Sequence, residues 1–437
     1  MVELSAFSAL RYDPTAVGDP SEVLAPPYDT IDAEVRDALY ARHPANVVRV
    51  ESNRPEPGDD EDARYQRAQA NLHDWLAQGL LRQDPAPSFY VLSQTFALDG
   101  GPRRTRTGFF ARARLTRFGE GPILPHERTL QGPQLDRLRL LRATRAEASP
   151  IFGLYEDADH HVLAALEAAQ VGPPLVTAEL AGVEHRLWRV EDPGAQDTLR
   201  SALAPKRVYL ADGHLRYETA LAYRDERRRQ APTPDAEGVL MYLCAAEDPG
   251  LVALATHRVV RGAPRFDEAW LSRELPRYFT VTEAPDDLIA ATAALARAGE
   301  EGVAFLMVGA QRRAILTLRP DAPLGEVRGL VKHPALRRLD VSVLHAVVLE
   351  HIIGLSAQAQ LTQQSLRYVE DDAEAFGACA RDPEVQVAFL LNPTPVSQIL
   401  KVCDAGEVMP PKATHFHPSL PAGLVMYSLD EGALTPG

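Results

Sequence analysis

A mixed α and β fold is what this sequence predicts, and three stretches predict it. Residues 89–98 and 103–115 read as two strands joined at Asp99-Gly100-Gly101, a strong hairpin signal. Residues 208–210 form a short apolar strand that runs through Asp212-Gly213-His214 into a helical pattern over 217–223. Residues 63–78 carry the period of an amphipathic helix, behind an acidic, proline-containing loop at 53–62. The rest of the chain interleaves in the same way, without an internal repeat or a long low-complexity tract. Residues 230–238 read as a loop and 251–255 as a strand. Beyond them come a hairpin at 303–318, an apolar helix at 339–355 and a strand at 387–391. A last helix starts at Pro395, with Thr394 as its N-cap and Gly406 as its stop.

The 437 residues call for two or three domains, because single cores stop growing at roughly 250–300 residues. A composition boundary falls near Ala263-Pro264. A hydrophobic fraction of 45% and a charged fraction of 24% are those of an ordinary soluble globular protein. The net charge of −14 argues against a general nucleic-acid binder, which would show a basic stripe or domain. It leaves room for a small anionic ligand held by a few local arginines. Cys244, Cys379 and Cys403 are few, odd in number and far apart, so neither a disulfide framework nor a zinc knuckle is expected. The first residues lack signal-peptide character. The apolar helix at 339–355 contains Asp340, His345, Glu350 and His351 and is no membrane span. The expectation is a cytoplasmic protein with no membrane partner.

The most informative run is 207–218, RVYLADGHLRYE. A strand that ends at Asp-Gly and opens a helix leaves backbone N–H groups pointing outward, where an anion can sit. Gly213 allows close approach of a ligand, and Arg216 adds a fork of donors suited to phosphate. Asp212 is the odd member. A carboxylate beside phosphates holds a metal ion or takes a proton, and one at this position also caps a helix. Residue types leave both readings open.

Other groups carry chemistry alongside a plainer reading. Arg104, Arg106, Arg112 and Arg114 alternate onto one face of the second hairpin strand, as a strip facing an anion or as a solvated face; the solvated face is expected. His126-Glu127 lacks the second histidine of a zinc-protease helix, since Leu130 stands four residues on; Glu127 remains a base, a metal-bridging carboxylate or a salt-bridged surface residue. His415 and His417 share one face of an extended segment without an evident third ligand. Pro26-Pro27-Tyr28-Asp29 is a stiff turn, structural or ligand-facing. His257 and Arg258 end a strand, where ligand sites collect, although a buried, hydrogen-bonded histidine fits equally. Lys412 lies in the rigid stretch Met409-Pro-Pro-Lys412, within reach of a phosphate or merely structural. The chain has no Walker loop, no dinucleotide glycine fingerprint and no Gly-x-Ser-x-Gly elbow.

In order along the chain stand Pro26-Pro27-Tyr28-Asp29, Asn46-Val-Val-Arg49, Leu124-Pro-His-Glu127, Ser149-Pro-Ile-Phe-Gly153 and Ala211-Asp-Gly-His214. Thr256-His-Arg258, Met409-Pro-Pro-Lys412 and Gly423-Leu-Val-Met426 complete the series. Together they resemble the uncharacterised prokaryotic family known as domain of unknown function 1015, over nearly the whole chain. The Asp-Gly-His-x-Arg-Tyr segment is similar to the phosphate-binding box of the ParB/sulfiredoxin superfamily, in the variant carried by its free serine kinases.

That resemblance implies a central ParB/sulfiredoxin-like nucleotide-binding domain (116–262) between an N-terminal α/β region (1–115) and a C-terminal α/β domain (263–437). It implies Asp212 and Glu127 as catalytic residues, Asp212 being metal-associated and Glu127 the base for a substrate hydroxyl. Gly213, His214, Arg216 and His126 would bind nucleotide phosphates. Apart from the resemblance, Tyr28, Asp29, His257, Arg258 and Lys412 are candidates for an additional site on their residue types alone. Mg²⁺ with ADP or ATP is the implied cofactor, a small hydroxyl-bearing metabolite such as serine the implied substrate, and a regulatory nucleotide-binding module the alternative. Leu215 departs from the pattern, standing where a second histidine is common. Glu127 and Asp212 are unusually far apart, a spacing that an insertion at 160–192 would absorb. His415 and His417 stand where the family usually carries aromatic residues.

Overall fold

A computed structural model describes residues 1–98, 100–129, 133–230, 232–263, 266–327, 330, 333–362 and 364–429. The chain divides into two compact units. One comprises Met1–Pro125, Gly132–Leu251 and Pro418–Gly437; the other comprises His126–Gln131 and Val252–His417.

The first unit is built on a mixed nine-stranded sheet. Its strands are β1 (Leu4–Ser5), β2 (Phe89–Phe96), β3 (Arg104–Arg114), β4 (Ile123–Leu124), β5 (Ile151–Tyr155), β6 (Val176–Leu180), β7 (Val183–Val190), β8 (Val208–Asp212) and β9 (Gly238–Ala245). They run in the order β4-β8-β5-β9-β3-β2-β7-β6, with β1 beside β3. The β4–β8 and β5–β9 pairs are parallel and the others antiparallel. Every residue of β9 is buried, as expected of an unbroken apolar run in an interior strand. Five helices matter here: α1 (Ala63–Ala77), α2 (Pro133–Thr144), α3 (His161–Ala169), α4 (Pro193–Leu203) and α5 (His214–Gln230).

Val162 and Leu166 of α3 and Leu199 and Leu203 of α4 join Phe89, Phe109, Ile151, Val208, Leu210 and Met241 in one core. Helix α1 buries Tyr65, Ala68, Leu72 and Trp75, one helical stripe; Ala68, Leu72 and Trp75 pack in a second core with Leu10, Tyr12, Val47, Val48, Ala146 and Met426. Helix α2 is tied to both α1 and α5. The Tyr65 hydroxyl donates to Asp136 at 2.7 Å, and Arg142 Nε donates to Glu226 at 2.9 Å. The segment at 160–192 supplies α3 and the strands β6 and β7.

Several expectations are corrected. The arginine row of β3 is no uniform solvated face. Arg104 and Arg114 are exposed, but Arg106 is fully buried and Arg112 half-buried. Arg106 donates to Gln94 through Nε at 3.2 Å and to the Pro418 carbonyl at 2.6 Å, and lies 4.6 Å over the Phe152 ring. Aromatic side chains of neighbouring strands cover that part of the face, which period-2 alternation alone cannot foresee. Helix α5 begins at His214, earlier than its apolar pattern suggested, and β8 runs on to Asp212. The loop at 230–238 contains a short 3₁₀ turn, Pro234–Glu237. Asp99 of the expected hairpin turn lies outside the described residues, as does Pro264 of the expected boundary.

The second unit holds a six-stranded sheet: β10 (His257–Arg261), β11 (Phe279–Glu283), β12 (Ala304–Gly309), β13 (Arg313–Leu318), β14 (Leu366–Val369) and β15 (Val385–Leu391). It is antiparallel throughout, in the order β11-β13-β12-β15-β10-β14. Successive residues serve opposite faces. Phe305, Leu316 and Phe389 belong to one core, Leu306, Ile315 and Leu390 to the other. The apolar helix begins as α-helix at Asp340–Val343 and continues as π-helix over Leu344–Ile352. Thr394 is not the cap of the last helix, α6 (Val396–Asp404). Pro395 occupies that position and makes no side-chain cap bond. No helix among the described residues is long and apolar enough to cross a membrane.

Burying a guanidinium is tolerable only while its donors are satisfied. Arg106→Met should therefore leave Gln94 and the Pro418 carbonyl without their donor and lower the unfolding free energy by about 2–4 kcal/mol. Urea denaturation measures this; a loss under half a kilocalorie would mean that the buried bonds contribute almost nothing.

Candidate functional site

Strand β8 loses register with β5 between Leu210 and Asp212, and α5 starts two residues further on. Gly213 makes the joint at φ +85°. Asp212 divides its carboxylate between the two sides. One oxygen accepts the Gly213 N–H at 2.7 Å, and the other pairs with Arg216 Nη2 at 2.9 Å. Arg216 folds back over the glycine. A Cβ there would meet its Nε at 3.0 Å and Nη2 at 3.1 Å, with the Ile151 Cα at 3.3 Å. Asp212 thus serves the helix start and holds the arginine, while its side chain stays 50% exposed. His214 is buried as the first helical residue.

Burial works against the charge of Arg216, but Asp212, Asp29, Tyr28 and Glu51 outweigh it and hold its pKa above the ordinary value. The additional-site residues Tyr28 and Asp29 therefore stand in the electrostatic neighbourhood of Arg216. Tyr28 opens a 3₁₀ turn, Tyr28–Thr30, fixed by the Thr30 hydroxyl donating to Pro27 at 2.8 Å. Arg137 from α2 lies 4.4 Å over its ring. Burial raises the Tyr28 hydroxyl pKa, with Arg216 acting in the opposite direction.

Beside Arg216 is a recess of about 60 Å³ whose walls include Tyr28, Glu51, Arg137, Glu147 and Ser149. Burial pushes the Glu147 carboxyl up to about 8, against the Leu240 N–H that it accepts at 2.6 Å and against Arg112 and Arg216. The Ser149 hydroxyl and Arg216 Nε are buried without a hydrogen-bond partner. Sequence reasoning assigned no role to Glu51, Arg137, Glu147 or Ser149. Only Ser149 carried a signal, as the first residue of the Ser149-Pro-Ile-Phe-Gly153 motif.

The remaining expected residues belong to the second unit. His126 is fully buried, with Nε2 2.8 Å from the Thr414 hydroxyl, and Glu127 accepts the Ala413 N–H at 3.0 Å. Arg258 is also fully buried. It donates to His345 at 3.0 Å and to the Lys412 carbonyl at 2.9 Å, and burial pushes its pKa down to about 10. Lys412 adopts a left-handed backbone, φ 53°. His257 accepts the Leu391 N–H at Nδ1, 3.2 Å, which leaves Nε2 to donate to Asp372 at 2.7 Å. His415 pairs with Glu370 at 3.0 Å, and its ring lies 6.4 Å from that of His417. Among the described residues no group of three His, Cys, Asp or Glu side chains is gathered for a metal ion.

The fold and site define an α/β protein with a recess beside a strand–glycine–helix turn, its largely apolar wall set with a few charged and hydroxyl side chains. The chain belongs to the family described as "Protein of unknown function (DUF1015)", which it matches over residues 4–342. Among solved structures it is distantly similar to a conserved hypothetical protein from Pyrococcus furiosus, at 13% identity over 69% of this chain and 90% of that one, TM-score 0.35. It is similar too to a mutant free serine kinase in complex with ADP, at 11% identity over 73% and 90% of the two chains, TM-score 0.36. A third likeness is to SbnI with C-terminal truncation from Staphylococcus aureus, at 12% identity over 71% and 86%, TM-score 0.34. No curated protein matches the sequence.

Two outcomes are expected here. Gly213→Ala should cost about 1–2 kcal/mol from the backbone alone and displace Arg216, seen as lost stability in chemical denaturation. Glu147 keeps its proton in the folded state to about 8 but has an ordinary value of 4.5. Folding therefore holds a proton that the unfolded chain has released, so stability falls as pH rises through that window, by up to ~1.4 kcal/mol per pH unit. Glu147→Gln should flatten the profile between pH 5 and 8; an unchanged slope would mean that the carboxyl titrates normally.

Proposed function

We propose that this chain is a nucleotide-dependent phosphotransferase acting on a small hydroxyl-bearing metabolite. The observation that carries the reading is Arg216 folded over Gly213 at the start of a seventeen-residue helix, with Nε buried and unpartnered. A helix N-terminus, a glycine that brings the backbone close and a guanidinium with an unused donor together suit an oxyanion. Phosphoryl transfer asks mainly for positioning and charge stabilisation, so few reactive side chains are needed.

Mg²⁺ with ADP or ATP belongs to the same proposal. Mg²⁺ is commonly held by one or two carboxylates together with the phosphates themselves, and Asp212, half exposed beside the turn, is the residue that would hold it. When bound, the ion would neutralise charge on the phosphate oxygens. Gly213, His214 and Arg216 hold phosphate in this reading, and Glu127 keeps the role of hydroxyl base that the resemblance gives it.

A nucleotide-responsive binding module without efficient turnover is the second reading. It is favoured by the Ala413 N–H that already occupies a Glu127 oxygen at 3.0 Å.

Thermal-shift measurements with ADP and ATP, each with and without Mg²⁺, test the proposal. A nucleotide at 100 times its dissociation constant should stabilise by about 2.7 kcal/mol, a rise of a few degrees that Arg216→Ala removes. Asp212→Asn should abolish phosphoryl transfer to serine or a similar alcohol while leaving the circular dichroism spectrum unchanged. A variant that still transfers would end the role of Asp212. Nucleotide binding without turnover in the wild type would select the second reading.

A further inference from the structure

We propose that the recess beside Arg216 seats a single phosphoryl group, held by the Ser149 hydroxyl, Arg216 Nε–H and the guanidinium of Arg137. The inference rests on the phosphate reading of the turn and adds the residues that grip the terminal group.

Ser149 and Arg216 both line this one recess, and each carries a buried polar atom without a partner, Oγ and Nε. A buried polar group ordinarily finds a partner, and two on residues of one wall point to an acceptor arriving from outside. Ser149 is only 7% exposed and belongs to the short link between α2 and β5, so the sheet and the helix layer fix its position.

Arg137 adds capacity. A guanidinium has five N–H donors. Arg137 donates from Nε and Nη2 to Asp136 and from Nη1 to the Glu51 carbonyl, at 2.9, 2.5 and 2.8 Å, so two donors exceed these bonds. The Asp136 and Glu51 contacts also hold the side chain in place.

Size narrows the ligand. A recess of about 60 Å³ is roughly two water volumes at ~30 Å³ each, whereas pockets for whole ligands run to roughly 300–1,000 Å³. That size suits a tetrahedral oxyanion. The guanidiniums are donors only, which suits an oxyanion whose oxygens are mainly acceptors. Two carboxylates line the recess: Glu147 keeps its proton to about 8 because of burial, and Glu51 lies 3.6 Å from Arg137 Nη1, whose charge offsets its own. The terminal phosphate of a nucleotide and free inorganic phosphate share this chemistry.

Isothermal titration of the full-length chain with inorganic phosphate, ADP and adenosine separates them. Phosphate and ADP should bind and adenosine should not. Ser149→Ala should weaken both by about ten-fold, the loss of one hydrogen bond to a charged group, while Ser149→Thr, which keeps the hydroxyl, should stay within about three-fold of wild type. Wild-type affinity for phosphate and ADP in Ser149→Ala would overturn the seat; if Arg216→Ala still loses ADP, the nucleotide reading survives without it. Phosphate binding that Ser149→Ala weakens, in a protein that binds no nucleotide, would support the seat and sink the nucleotide reading. Adenosine binding as tightly as ADP, or no binding of phosphate and ADP by wild type, would overturn the seat.

Discussion

The recess of the first unit depends on one residue that has no side chain. Gly213 must adopt a positive φ to turn β8 into α5, and it must present a bare Cα to the Arg216 guanidinium above it. Both demands disfavour other residues, the first conformationally, the second because a Cβ would push the guanidinium aside by a few tenths of an ångström. Once the glycine is in place, the i to i+4 spacing brings Arg216 back to Asp212, and the arginine closes one wall of the recess. Tyr28, Arg137 and Ser149 come from three other segments, but the charge that they surround is set at this joint.

Fully buried arginines recur as the means by which each unit secures distant backbone. Arg106 reaches the Pro418 carbonyl, and Arg258 reaches the carbonyls of Pro411 and Lys412. Both also lie over aromatic rings, Phe152 for Arg106 and Tyr368 for Arg258. A guanidinium can satisfy several carbonyls at once and stack its planar face, which an ammonium cannot do. Arg258 is desolvated enough that its pKa falls to about 10. Such an arginine is a structural clamp first, and the Thr256-His-Arg258 motif is explained in this unit by the bonds it makes.

The sequence made local structure legible and assembled structure largely illegible. The strand ending at Asp212, the helix behind it, the hairpin strands and the amphipathic helix α1 could be read because period and turn chemistry act over a few residues. Membership in the DUF1015 family was legible from short motifs in order. The burial of Arg106 was not, because its covering rings come from Phe152 and Tyr242 and its acceptor is 312 positions away. The recess was hidden for the same reason. Glu51, Arg137, Glu147 and Ser149 are unremarkable one at a time, and only the fold gives them a common wall. Thr394 looked like a cap because threonine often is one, but Pro395 fixes the backbone there without any side-chain bond.

The division of the chain has a consequence for how the protein is made. The first unit contains the first strand, yet its core also contains Ala422 and Met426. The backbones of Leu10 and Met426 exchange two hydrogen bonds, at 2.9 and 3.0 Å, and Arg106 waits for Pro418. During synthesis at roughly 5–20 residues per second, domains ordinarily fold as they emerge, N-terminal first. Here the earliest part of the chain must be held open while Val252–His417 is translated, with a buried cation and an apolar core still lacking their last partners. The core of the unit that holds residues 1–125 therefore gains its last partners only after residues 252–417 have been made.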